Sequence, residues 1–140
     1  MPIRDCPIHS FPNNETTVLL PIKIINPYTN INYKTWGLID TGATECAIPA
    51  SIASILGHIL LKGELKSIST GNGLANAYRH TSTIEIFHPL NLSNQAIYKI
   101  ENVKIDFMPN LSIPLLGVRG FMANFKLEIN YPNRIFSLIQ

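Results

Sequence analysis

The chain has 140 residues, of which 46% are hydrophobic and 14% are charged. This composition excludes a disordered chain and predicts one domain with a substantial core. The net charge of +2 and the scattered Lys and Arg residues argue against nucleic-acid binding. No apolar run is long enough for a transmembrane helix, and the N-terminus lacks the apolar core of a signal peptide. We therefore expect a soluble cytoplasmic protein that does not bind membranes.

The N-terminal part of the chain divides into a polar lead-in and two predicted strands. Residues 1–16 are polar and contain prolines, which predicts an irregular N-terminal arm before a domain at 17–140. Residues 17–25 form a strand pattern in which Pro21 indicates an edge or a bulge. After a turn, residues 31–39 return as a second strand that ends directly before Asp40.

The sequence Asp-Thr-Gly-Ala-Thr at residues 40–44 follows this second strand. Two β-formers precede Asp40, so its carboxylate is predicted to lie at a strand end. Gly42 permits backbone approaches that a Cβ would block, and the Thr41 hydroxyl can bond local backbone or a facing partner. The stretch therefore predicts an acid fixed at a strand end, beside a loop that can approach another backbone.

A short helix is predicted after this loop. Pro49 suits its first position, Ile52, Ile55 and Leu56 form one apolar face, and Gly57 can end it.

A hairpin is predicted next, with its tip at Gly71, Asn72 and Gly73. Its flanks at 65–70 and 74–79 are small and polar. Because such a hairpin has little apolar surface to bury, we expect it to be mobile.

The remaining segments alternate as strands at 81–87, 98–107, 125–130 and 135–139, with Asp106 on the polar side of its strand. An apolar segment, Ile-Pro-Leu-Leu-Gly, occupies residues 113–117. The following Phe121, Met122 and Phe125 have the spacing of one buried helical face. Many short strands and only two short helices predict a closed or partly closed all-β fold.

The Asp-Thr-Gly-Ala sequence at 40–43, followed downstream by Ile-Pro-Leu-Leu-Gly at 113–117, resembles the retropepsin-like family of aspartic proteases. The resemblance implies a single closed β-barrel-like domain with one or two short helices. It implies that Asp40 is catalytic and that the hairpin tip at 71–73 covers a bound peptide as a flap. It further implies that Thr41 braces the loop across a two-fold axis, Gly42 offers its backbone to the substrate, and Ala43 and Thr44 line the cleft floor.

The chemistry of this family needs two carboxylates that share a proton, as aspartic proteases themselves exemplify. The chain carries one Asp-Thr-Gly sequence, and its other aspartates, Asp5 and Asp106, lack the Thr-Gly turn. We therefore expect a homodimer that places Asp40 beside its symmetry mate. The substrate would be an extended peptide attacked by water, so no cofactor and no metal are required.

Three features leave alternatives open. A Glu45–Arg119 ion pair could stand where many retropepsins carry an acidic residue and an Arg at slightly different spacing. The same fold could also serve as a catalytically inactive dimer that binds peptides or has a structural role. Cys46 lacks the surroundings of a nucleophile and is expected to be buried, whereas Cys6 is expected to be exposed and the histidines to lie on surfaces or loops.

Overall fold

The computed structural model describes residues 2–9, 17–71, 73–91 and 95–140. Within these residues there are ten strands, one α-helix (α1) and two single 3-10 turns. The strands are β1 (Pro2–Pro7), β2 (Val18–Ile25), β3 (Asn32–Ile39), β4 (Ala47–Pro49), β5 (Glu64–Thr70), β6 (Gly73–Ile86), β7 (Tyr98–Met108), β8 (Leu115–Leu116), β9 (Lys126–Asn130) and β10 (Ile135–Ile139). The helix α1 spans Ala50–Ile55, and the 3-10 turns span Leu60–Lys62 and Met122–Asn124.

Six strands close into a barrel in the order β2-β3-β8-β4-β7-β6, with β6 pairing back onto β2. Strand β5 lies outside this ring as the second arm of a hairpin with β6. The pairs β3–β8 and β4–β7 are parallel. The prediction of a closed all-β barrel with short helices is confirmed.

The barrel is filled by aliphatic and aromatic side chains from neighbouring strands. Ile22 and Ile24 of β2 face Ile84 and Ile86 of β6, and all four are fully buried. Each such side chain contributes about 1.5–3 kcal/mol relative to an exposed one. The first half of β2 is buried on both faces, which explains why its sequence is a continuous apolar run.

The N-terminal segment differs from its prediction. Residues 2–7 form β1, which pairs antiparallel with β10, and Ile3 and Cys6 are buried in the core. The prediction of an irregular lead-in is therefore wrong for β1, and the prediction that Cys6 is exposed is also wrong. Its partner strand is at the other end of the chain, so the local pattern could not reveal the pairing. The boundary between an arm at 1–16 and a domain at 17–140 stays a prediction.

The predicted first helix is present as α1, directly after Pro49 and before Gly57, whose φ of +80° suits glycine. Ile52 and Leu56 are buried as predicted, whereas Ile55 is about half exposed. A helix this short can turn only a narrow face towards the core.

The second predicted helix is reduced to the 3-10 turn at Met122–Asn124. Phe121 is buried, and Phe125 packs against it with ring centroids 5.3 Å apart. The chain must enter β9 at Lys126, which leaves no room for further helical turns.

The hairpin flank at 74–79 and the predicted strand at 81–87 belong to one continuous strand, β6. This strand pairs with β5 and β7, and at its end with β2, so tertiary pairing keeps it extended across the predicted break. No helix within the described residues is long and apolar enough to span a bilayer.

Candidate functional site

Asp40 lies at the end of β3, and its backbone is held by β8. The Leu38 N–H donates to the Pro114 carbonyl at 2.8 Å, and the Asp40 N–H donates to the Leu116 carbonyl at 3.1 Å. The segment 113–117 that the sequence singled out therefore fixes the strand end from which the acid projects.

The residues after Asp40 form a tight turn around its carboxylate. The Gly42 N–H donates to Asp40 Oδ1 at 3.0 Å, and the Ala43 N–H donates to the Asp40 carbonyl at 3.1 Å. Such side-chain-to-backbone bonds are typical of Asp in turns. The turn therefore orients one carboxylate oxygen and leaves the other available.

The loop at 40–46 connects β3 to β4, which lie on opposite sides of β8, so the loop must cross the end of β8. The crossing is tied by two bonds, from the Val118 N–H to the Ala43 carbonyl at 2.9 Å and from the Arg119 N–H to the Thr44 carbonyl at 2.8 Å. A Cβ on Gly117 would lie 2.9 Å from the Ala43 carbonyl oxygen and would collide with the Glu45 carbonyl. The two sequence motifs are thus in direct contact.

A cavity of about 700 Å³ separates this loop from the β5 arm of the hairpin. Thr41 and Gly73 are exposed and lie outside its wall, and Asn72 lies outside the described residues. The predicted site residues that line the cavity are Asp40, Gly42, Ala43, Thr44 and Gly71.

The hairpin over the cavity has the predicted tip. Thr70 is in register with Gly73, whose φ of +100° is easily adopted by glycine. Leu65 and Leu74 on the two arms are exposed, so the hairpin buries little apolar surface. Its role as a flap stays a prediction.

The cavity wall also contains Asp106, a carboxylate that was not predicted as a site residue. Asp106 is only 1% exposed, and Arg79 Nε donates to its Oδ1 at 3.0 Å. Lys66 Nζ from the hairpin donates to its Oδ2 at 3.5 Å. The hydrogen bond from Arg79 to Asp106 is the main reason why the pKa of Arg79 is raised. The side chains of Arg79 and Lys66 lie against Asp106, so the predicted polar face of β7 is buried at this point.

The ion pair left open by the sequence is present. Arg119 Nη1 lies 3.3 Å from Glu45 Oε1, and Arg79 Nη2 lies 3.8 Å from the same oxygen. Lys66, Asp106, Arg79, Glu45 and Arg119 therefore form one continuous series of ion pairs, which we call the charge chain.

Cys46 lacks the chemistry of a nucleophile. Its side chain is buried, and its thiol donates to the Arg119 carbonyl at 3.6 Å. Burial is the main cause that raises the pKa of Cys46 to about 11, so the reactive thiolate is scarce at neutral pH.

His58 is buried and His80 is partly buried, contrary to the prediction of surface or loop positions. The rings of His58 and His80 are 4.6 Å apart, and both contact Phe107. His58 Nε2 is 3.2 Å from Ser82 Oγ, and His80 Nε2 is 3.0 Å from the Leu60 carbonyl. Burial, with a smaller contribution from His80, lowers the pKa of His58 to about 4. This pair lies apart from the residues that line the Asp40 cavity.

Comparison with known proteins gives a match at the level of structure. No protein-family model matches the chain. No curated protein matches it either. Among solved structures, a retropepsin-like aspartic protease from Rickettsia conorii superimposes with a TM-score of 0.67 at 21% sequence identity. The match covers 99% of this chain and 89% of that one, so the two chains share one fold over nearly their whole length.

Proposed function

We propose that this chain of retropepsin-like fold is an aspartic endopeptidase whose active site forms at the two-fold axis of a homodimer. The observation that carries the proposal is the placement of Asp40. Its backbone is fixed by β8, its carboxylate is oriented by the Gly42 N–H, and it faces a cavity beneath a glycine-tipped hairpin.

The second carboxylate of the reaction is assigned to Asp40 of another copy of the chain. Among the described residues of the cavity wall, the other carboxylates are Glu45 and Asp106, and both are bound to cations. Both oxygens of Asp106 accept bonds from Arg79 or Lys66, so Asp106 is poorly suited to share a proton with Asp40. A symmetric dimer supplies an equivalent carboxylate without any further residue type.

In the proposed reaction, the two Asp40 carboxyl groups carry one proton between them. The ionised carboxylate takes a proton from water, whose oxygen attacks the scissile carbonyl carbon. The protonated partner gives its proton to the carbonyl oxygen, which yields a tetrahedral diol. Transfer of a proton to the amide nitrogen then accompanies cleavage of the carbon–nitrogen bond.

The hairpin supports binding of an extended peptide. Among the described strands, β5 ends the order of its sheet and pairs with β6 alone, so it offers a free backbone edge above the cavity. An extended peptide can add to such an edge as a further strand. We assign to the tip at 71–73 the role of covering the peptide. The residues that contact the peptide in this proposal are Gly42, Ala43 and Thr44. Thr41 braces the two loops across the axis.

The test is peptide cleavage by wild type and Asp40→Asn. Because the two carboxyl groups act as a unit, we expect Asp40→Asn to lower kcat/KM by about a thousandfold or more while the dimer persists. The measurements are cleavage of a peptide library and sedimentation of the same samples.

Asp5→Asn is the matched control, since Asp5 is exposed in β1 and its φ of +45° is one that Asn also adopts. Unchanged cleavage by Asp40→Asn would contradict the proposal. Absence of cleavage by a dimeric wild type would favour the inactive peptide-binding module instead.

A further inference from the structure

The charge chain alternates in sign and has a cation at both ends. It runs from Lys66 on β5 through Asp106, Arg79 and Glu45 to Arg119, which follows β8. Three cations and two carboxylates leave one positive charge in excess. Arg79 lies between the two carboxylates and is bound to both, so the excess belongs to the two ends.

The two end residues retain hydrogen-bonding capacity. A lysine ammonium has three donors and an arginine guanidinium has five. The structure directs one donor of Lys66 to Asp106 and one side-chain donor of Arg119 to Glu45. Lys66 is 30% exposed and Arg119 is 74% exposed, so both can reach a ligand that enters from solvent.

Both ends also face the same space. Lys66 from the hairpin and Arg119 from the loop side line the cavity that contains Asp40. Of the three carboxylates in the same lining, Glu45 and Asp106 are neutralised within the charge chain, and Asp40 is assigned to the reacting pair. A side chain that enters this cavity therefore meets a cation on each of two walls. A carboxylate opposite such cations forms an ion pair as well as hydrogen bonds, whereas an amide oxygen accepts the hydrogen bonds without the attraction between opposite charges.

We propose that this cavity is a subsite that selects an acidic side chain, Asp or Glu, of the peptide substrate, with Lys66 and Arg119 as its specificity-determining residues. The proposal rests on the proposed function and names the substrate class of that site. In the symmetric dimer the subsite occurs twice, once on each side of the scissile bond.

The test compares short peptide pools in which one position at a time is fixed as Glu or as Gln. Gln has nearly the same shape as Glu and lacks the charge. We expect a Glu-to-Gln ratio in kcat/KM of about ten at one position or more, the effect of one charge-assisted bond. Lys66→Gln should lower this ratio by about fivefold. Arg119→Gln should lower it by about twofold, because a more exposed charge is screened by solvent.

The same pools are titrated by fluorescence anisotropy against the Asp40→Asn protein, which separates recognition from catalysis. If the wild-type protein cleaves nothing, the proposed endopeptidase function fails, and the ratio of Kd values for the Glu and Gln pools still decides the subsite. Equal Kd and kcat/KM values for the two pools at every position would overturn the subsite and leave the endopeptidase intact.

Lys104→Gln is the matched control, since Lys104 is exposed on β7 and lies outside the cavity wall. It should retain the wild-type ratio. Arg119→Gln keeps the test valid if Lys66→Gln disturbs the hairpin, because the Arg119 side chain is largely in solvent. A Glu preference that is undiminished in both Lys66→Gln and Arg119→Gln would also overturn the assignment.

Discussion

At the scale of single residues, Gly117 shows how the acid loop depends on a missing side chain. The loop crosses the end of β8 so closely that a Cβ at Gly117 would overlap the Glu45 carbonyl. A clash with backbone atoms cannot be relieved by a change of rotamer. The glycine therefore determines how closely the two motifs approach.

We expect Gly117→Ala to lower the free energy of unfolding by about 3 kcal/mol, because the loop and β8 must separate to admit the methyl group. Urea denaturation measures the change. Gly71→Ala is the control, since a Cβ at Gly71 meets no atom within 4 Å and its φ is not positive. Equal stability of the two variants would contradict the close contact between Gly117 and the acid loop.

His58 makes the stability of the fold dependent on pH. Its pKa is about 4 in the folded chain and close to the ordinary 6.5 in the unfolded chain. Between these values the unfolded chain binds more protons, so stability falls as the pH falls from about 6.5 to about 4. The loss amounts to roughly 3 kcal/mol. Urea denaturation of wild type and His58→Gln over this range should show a flatter dependence in the variant.

His88→Gln is the control for this measurement, because His88 lies in the loop after β6. It should retain the wild-type dependence on pH. If His58→Gln has the same slope as wild type, His58 is not the group that titrates.

Whether a site residue can be predicted from the sequence depends on how close in the chain its interaction partners lie. Asp40 was found from the sequence because the strand end, the acid and the turn glycine are contiguous. Asp106 was not found, because its cations come from positions 27 and 40 residues away. The residues next to a carboxylate on an alternating strand do not reveal whether it forms a buried ion pair or faces solvent.

At the scale of elements, strands were predictable where both partners are close in sequence. The β2–β3 hairpin follows from two apolar runs and the turn between them. Strand β1 was not predictable, because its short polar sequence becomes a strand only by pairing with β10. Its bend between Ile3 and Cys6, where Asp5 adopts a positive φ, further disrupts the alternation that marks a strand.

The contribution of β1 can be measured at Ile3, which is fully buried. We expect Ile3→Ala to lower the free energy of unfolding by about 3 kcal/mol, through lost apolar burial and the remaining cavity. Ile59→Ala is the control, since Ile59 is 60% exposed, and it should change stability by less than about 0.5 kcal/mol. A small effect in both variants would mean that β1 does not contribute to the core.

At the scale of the whole molecule, the closed all-β class followed from the number and spacing of short strands. The order of the strands did not, because the parallel insertion of β8 between β3 and β4 joins distant segments. The segment 113–117 marks β8 as apolar, but two strand residues carry no periodicity that indicates their partner strands.

The proposed dimer predicts how mixtures of chains behave. A dimer with one wild-type and one Asp40→Asn chain has half of the carboxylate pair, so it should be inactive. Increasing amounts of Asp40→Asn added to a fixed amount of wild type should therefore lower the cleavage rate towards zero after subunit exchange. Asp5→Asn, added in the same way, should leave the rate undiminished. A rate that is insensitive to added Asp40→Asn would show that each chain works alone.

The late position of β8 also has a consequence for synthesis of the chain. Because Asp40 is anchored by the Leu116 carbonyl and its loop crosses Gly117, the turn lacks its support until that segment has left the ribosome. Until then β3 and β4 have unpaired edges, which are prone to association with other chains. The barrel thus closes through contacts of large sequence separation, which fold slowly. A nascent chain accordingly holds its acid in an unformed loop until Gly117 has emerged.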